Sequence, residues 1–190
     1  MATATDRLSN LSDELNRISV EEGLSGVVRV DLEGRVAFER AYGLRHRGLE
    51  IANTIDTQFG TASGAKGFTA LMVMSMVERG ELGLDTTARS LLGDDLPLID
   101  DRVTVEQLLA HRSGIGDYLD EEVLDDSNTY VMPIPVHELA TPEDYLRVLD
   151  GYPMKFEPGE RFVYCNGGYV VLALLAERAA TVPYHDLVEQ

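Results

Sequence analysis

The sequence predicts an α+β fold, with an antiparallel hairpin near the N-terminus and a mostly helical part after it. Three observations predict this. Residues 25–31 and 35–42 are rich in strand-forming residues (Val27, Val28, Val30, Val36, Phe38) on either side of a Glu33-Gly34 turn. Residues 69–77 and 167–180 are apolar on nearly every side, the pattern of helices that are buried rather than amphipathic. Residues 6–22 place Leu8, Leu11, Leu15 and Ile18 on one stripe, which makes an amphipathic helix with a polar outer face.

The remaining elements follow in order. Gly23 ends the first helix, and Gly43 to Thr57, with His46-Arg47-Gly48, reads as loop with room for one short strand. After the helix that Ser63 opens, residues 80–92 make a turn and a short helix. Thr104-Val-Glu-Gln107 is a capping box ahead of Leu108-Leu109, and the helix it starts runs out at His111-Arg-Ser-Gly114. From Gly116 to Ala140 no period is visible. Between Arg112 and Arg147 there is no Lys or Arg, while Asp117, Asp120, Glu121, Glu122, Asp125 and Asp126 accumulate. A loop of that length inside a compact domain is usually functional or mobile. Thr141-Pro142-Glu143-Asp144 supplies a cap, an N1 proline and two first-turn acids for a helix to about Asp150. Pro153 and Pro158-Gly159 interrupt the chain, residues 161–166 are extended, and Pro183 stops the last helix. No internal repeat or low-complexity segment is present.

Composition excludes several classes of function. The apolar content of 44% and charged content of 26% are those of an ordinary globular protein. The formal net charge of -17 argues against nucleic acid and anionic membrane surfaces, because phosphate binding needs a basic patch. The apolar runs end at Glu78-Arg79-Gly80 and Glu177-Arg178, too short to span a bilayer, so no membrane insertion is expected. The N-terminus shows no secretory signal, so the expected location is the cytoplasm, although a mature secreted form would look the same. Cys165 is the one cysteine, and the four histidines (His46, His111, His137, His185) lack ligand spacing; no metal and no cofactor are expected.

Two constellations carry chemistry. Ser63-Gly-Ala-Lys66 opens the most apolar helix, and residues three apart share a helix face. A lysine amine there can take the serine proton if burial or neighbouring cations favour its neutral form, and the helix start favours an oxyanion beside Ser63. By chance a Ser-x-x-Lys pair occurs roughly once in a chain of this size, usually as a capping serine and a solvated lysine, so placement matters more than the pair itself. The second constellation is Tyr164-Cys165-Asn166, in an extended stretch just before the other apolar helix. Tyr-x-Asn arises by chance in roughly one such chain in five. A tyrosine near an ammonium can act as base or proton shuttle, and an asparagine amide can accept from the lysine and donate to a substrate carbonyl.

With both on the page, the chain resembles the serine β-lactamase and penicillin-binding-protein superfamily, in the branch holding class C β-lactamases, D-Ala-D-Ala peptidases and related esterases. The resemblance extends over residues 20–190: residues 108–115 (LLAHRSGI) are similar to the family's L-L-x-H-x-S-G segment. Residues 80–85 match the turn after its nucleophile helix, and 158–169 match the region of its second motif. It implies a β-lactamase/transpeptidase-like fold, an antiparallel sheet flanked by helices, with the helical part carrying the nucleophile. It implies an acyl-enzyme mechanism on ester or amide bonds of a small acyl substrate, with Ser63 acylated, Lys66 its proton acceptor, Tyr164 the partner base and Asn166 a substrate-amide contact. His111 reads as structural, holding loop backbone behind the site, and Cys165 as packing inward without chemistry.

The family's third motif, Lys-Thr-Gly or His-x-Gly on a strand downstream of Tyr-x-Asn, has no counterpart here; His46-Arg47-Gly48 fits by letter but precedes the nucleophile. The chain therefore reads as the N-terminal part of one catalytic domain, with residues 6–60 from its α/β part and 61–180 from its helical part, and the C-terminal strands as a possible missing partner. If the acidic stretch from Asp117 to Asp126 overhangs the site, it would disfavour carboxylate substrates. The expected activity is then an esterase-like or amidase-like serine hydrolase of neutral acyl substrates ahead of a β-lactamase. The alternative is a non-catalytic ligand-binding homologue, or a fragment that needs a complementary chain.

Overall fold

The computed structural model describes residues 4–124 and 129–190, with residues 4–9 as backbone only. Asp125 and Asp126 of the acidic stretch, and the side chain of Leu8, lie outside the described residues. The chain divides into two compact units, Met1–Gly60 and Thr61–Gln190.

The first unit holds helix α1 (Ala4–Glu21) and an antiparallel hairpin of β1 (Gly26–Leu32) and β2 (Arg35–Tyr42). Glu33 (φ 51°) and Gly34 (φ 74°) form a turn with both central residues left-handed, which matches the twist of the strands it joins. The pairing runs from Gly26 opposite Tyr42 to Leu32 opposite Arg35, with a bulge at Val30/Asp31. The segment read as loop forms a second, smaller antiparallel pair, β3 (Leu44–His46) and β4 (Ile51–Ala52). It is held by Asn53, whose buried Nδ2 donates to Tyr42 O (2.7 Å) and Ser25 Oγ (3.0 Å). Such a pair is too short to leave a periodic signal, and its stabilising contacts come from residues far along the chain.

The second unit is built around helix α6 (Asn166–Ala180), which follows α2 (Ala65–Glu78), α3 (Ala88–Leu92), α4 (Val105–Leu109) and α5 (Leu146–Leu149). Val171, Leu172, Leu174, Leu175 and Ala176 of α6 are all but fully buried against Val73 and Met76 of α2, Ala88 and Leu92 of α3, and Val105 and Leu108 of α4. A short helix beyond Pro183, α7 (Tyr184–Val188), adds Leu187 to this core, so the chain turns helical again after the proline that ends α6. The capping box at Thr104 is present: its hydroxyl accepts from Gln107 N, and the Gln107 amide oxygen accepts from Thr104 N.

Two expectations change. Helix α2 is buried on one face only (Thr69, Met72, Val73, Met76), while Phe68, Leu71 and Met74 are exposed, so an apolar pattern all round does not here mean cover all round. The segment 141–150 is a 3₁₀ turn (Glu143–Tyr145) followed by the single turn of α5, not one continuous helix.

Candidate active site

Ser63 sits in a 3₁₀ turn (Ala62–Gly64) immediately before α2, one step earlier than a serine on the helix proper. Ala62 is left-handed (φ 46°), a conformation an alanine adopts at a cost of about 1 kcal/mol, so the chain enters the Ser63 turn under strain. Lys66 lies on the first turn of α2 and is half-buried. Its ammonium donates to Ser63 Oγ (3.2 Å) and to Asn166 Oδ1 (2.9 Å). It also sits over the rings of Tyr164 (5.0 Å) and Tyr169 (5.9 Å), whose faces attract a cation. Tyr164 donates its hydroxyl to Ser63 Oγ at 2.7 Å. Four residues separated by about a hundred positions in sequence thus converge on one oxygen and one ammonium.

The support for Tyr164 and Asn166 comes from residues that spacing does not reveal. His111 stands at the end of α4 in the left-handed position (φ 54°) usually given to glycine. Its imidazole explains the exception: Nδ1 accepts from Cys165 N (3.1 Å), and the ring lies between those of Tyr164 and Tyr169, with centroids at 4.6 and 4.9 Å. Accepting at Nδ1 leaves the proton on Nε2 and the ring neutral, and burial, followed by the nearby Lys66 ammonium, holds its pKa below the ordinary value. Tyr169 donates to Leu109 O (3.0 Å) and so fixes its ring under the ammonium.

Cys165 is buried and acts as the N-cap of α6, its Sγ accepting from Gly168 N (3.2 Å). Burial, with the charge of Asp117 next, pushes its thiol up to about 12, which keeps it protonated and inert. Asp117 is buried at 6% exposure and turned to the start of α6. It accepts from Asn166 N, from Gly167 N (2.9 Å) and from Leu119 N (3.3 Å). Burial pushes its carboxyl above the usual value, against the pull of those three donors.

The described residues of the acidic stretch therefore do not overhang the site as a block. Asp117 is consumed by α6, and Asp120 and Glu122 pair with Lys155. Arg161 approaches Glu122 at 3.7 Å. Those cations lie more than thirty residues downstream, where reading the loop by itself could not find them. Of the described residues in the stretch, Glu121 faces the constellation, with Oε1 3.4 Å from Asn166 Nδ2. Beside Lys66 and Asn166 opens a cavity of ≈ 330 Å³ walled by Tyr118, Tyr145, Tyr169 and Tyr184 with Leu139 and Val170. Among the described residues, no group of His, Cys, Asp or Glu side chains comes together in a way that could hold a metal ion.

With that geometry established, comparison with known proteins is decisive for the family. A model of the family described as Beta-lactamase matches residues 14–190. The chain belongs to this beta-lactamase family. As a member of it, the chain is 30% identical over 168 residues to penicillin-binding protein 4* of Bacillus subtilis, covering 87% of this chain and 35% of that protein. It is 31% identical over 198 residues to esterase EstB of Burkholderia gladioli, covering 99% of this chain and 48% of the esterase. Among solved structures, a penicillin-binding protein from Bacillus halodurans superposes with a TM-score of 0.78 at 36% identity, over 92% of this chain and 52% of that one. The chain thus spans half or less of the length of the curated relatives it matches, and the beta-lactamase fold it shares with them is that of serine hydrolases, esterases among them.

Proposed function

We propose that this chain is a serine hydrolase module that cleaves ester or amide bonds through an acyl-enzyme on Ser63. The single observation that carries the reading is the convergence on Ser63 Oγ of Tyr164 OH at 2.7 Å and Lys66 Nζ at 3.2 Å. Serine is a weak nucleophile until a base takes its proton, and both candidate bases are already within hydrogen-bond reach. In this reading Lys66, in its neutral form, takes the hydroxyl proton as Oγ attacks the substrate carbonyl, with Tyr164 as partner in the proton transfer. The leaving alcohol or amine receives that proton, and water then hydrolyses the ester formed on Ser63. Asn166 anchors Lys66 through Oδ1, and its Nδ2, which donates to Leu119 O (3.3 Å) and Glu121 Oε1 (3.4 Å) in the free site, exchanges one of these for a substrate carbonyl. The adjoining cavity is walled largely by tyrosines and aliphatic side chains, and Glu121 stands beside Asn166, so neutral acyl groups fit better than carboxylates.

A single phosphonyl adduct by intact mass after treatment with a fluorophosphonate, absent in Ser63→Ala, is the expected result. Turnover of a neutral p-nitrophenyl ester should exceed that of a chromogenic cephalosporin, and the reverse order would overturn the substrate ranking. No adduct on the intact chain would favour the second reading, a homologue that binds ligand without turnover or that needs a complementary chain.

A further inference from the structure

We propose that Asp117 is a positioning residue of this site: its carboxylate fixes the first turn of α6 so that Asn166 Oδ1 meets the Lys66 ammonium. The proposal rests on the reading of Ser63 and Lys66 given above. Both Asp117 oxygens are used. Oδ2 accepts from Asn166 N, while Oδ1 accepts from Gly167 N at 2.9 Å and Leu119 N at 3.3 Å. Among the described residues the carboxylate has no ion pair, so its charge is met by backbone N–H groups, the Cys165 thiol and the positive end of a fifteen-residue helix. Cys165 Sγ caps Gly168 N, and Asp117 takes the two free N–H groups before it, those of Asn166 and Gly167. Asp117 thereby holds the residue of α6 that hydrogen-bonds the Lys66 ammonium.

Two glycines make the approach possible. A Cβ on Gly167 would stand 3.1 Å from Asp117 Oδ1 and 3.0 Å from Leu149 Cδ2, closer than such contacts normally allow. A Cβ on Gly116 would meet Tyr152 Cβ at 2.5 Å and Pro153 O at 2.7 Å, so the turn that delivers Asp117 is pressed against the 152–153 backbone. Burying a carboxylate that has no counter-charge costs stability, and placing one against the residue that holds Lys66 is what a site does when geometry there matters more than stability.

The titratable groups that sense this carboxylate are His111, Tyr118, Tyr130 and Cys165, and Glu121 shares Asn166 with it. The test therefore uses isotopically labelled protein carrying Glu121→Gln, followed by NMR from pH 8 to pH 4. The Asn166 side-chain amide is expected to move with the midpoint of the Asp117 carboxyl carbon and not with that of the His111 ring. An Asn166 amide that stays fixed while Asp117 titrates overturns the proposal. In parallel, Asp117→Asn replaces one of the two oxygens that accept from Asn166, Gly167 and Leu119 N with an NH2 donor, and Gly167→Ala keeps the carboxylate but crowds it while raising helix propensity. Both should slow fluorophosphonate labelling of Ser63 by about ten- to a hundredfold, the scale of a misplaced catalytic group. Labelling within twofold of the parent in the folded Gly167→Ala variant would equally overturn it. If the parent itself is not labelled, the hydrolase reading fails, and the titration still decides the role of Asp117.

Discussion

At the scale of single residues, the site combines two groups whose contributions to stability respond to pH in opposite senses. The folded-state pKa of His111 is depressed, so the stability it contributes is present above its ordinary value of 6.5 and is lost as pH falls below it. The pKa of Asp117 is raised, so its contribution is present below the ordinary 3.8 and is lost as pH rises through the folded value. Replacing His111 by Asn, which tolerates the left-handed conformation and keeps an acceptor, should flatten the fall in thermal stability between pH 7 and pH 5. Melting curves at those two pH values check this, and an unchanged slope would mean that the imidazole proton is not what weakens the fold. Ser63, Lys66, Tyr164 and Asn166 were legible as candidates because two short spacings sit at the starts of two apolar helices. His111 was expected to hold loop backbone behind the site, as it does by accepting from Cys165 N. Asp117 and Tyr169 were not legible as partners of these groups, because their roles depend on a buried carboxylate and a ring stack, neither of which leaves a spacing in the chain.

At the scale of elements, α6 is both the core of its unit and the platform of the site. Leu175 is fully buried among α2, α3 and α4, and Leu175→Ala should cost about 2–5 kcal/mol. Urea denaturation measures that loss, and a cost below 1 kcal/mol would show that the helix is not the central packing element. The hairpin and the capping box were readable because each writes its geometry locally, as alternating β-formers around Glu33-Gly34 and as Thr104 three residues before Gln107. The pair β3 and β4, the break between the 3₁₀ turn and α5, and α7 after Pro183 were not readable. Each is one turn or a few residues long and owes its conformation to contacts from elsewhere. The exposed side of α2 marks the limit of periodicity, since Phe68, Leu71 and Met74 report only what a helix could bury.

At the scale of the whole molecule, the chain is a strongly acidic member of the beta-lactamase family that spans half or less of the curated relatives it matches. The family was legible because both motifs and the segments around them fall in the order the resemblance requires. The distribution of charge was not legible, because Lys155 reaches back to neutralise Asp120 and Glu122, while Glu121 turns to the Asn166 side chain. The central claim is that a substrate acyl group is transferred to Ser63. Quenching the reaction with a neutral p-nitrophenyl ester in acid, within the first turnover, and reading intact and peptide masses tests it directly. The account predicts one acyl group per chain, on the peptide that contains Ser63, formed in step with the first equivalent of p-nitrophenol and lost in Lys66→Ala. Release of p-nitrophenol without an acylated chain, or with the acyl group on any other residue, would contradict it.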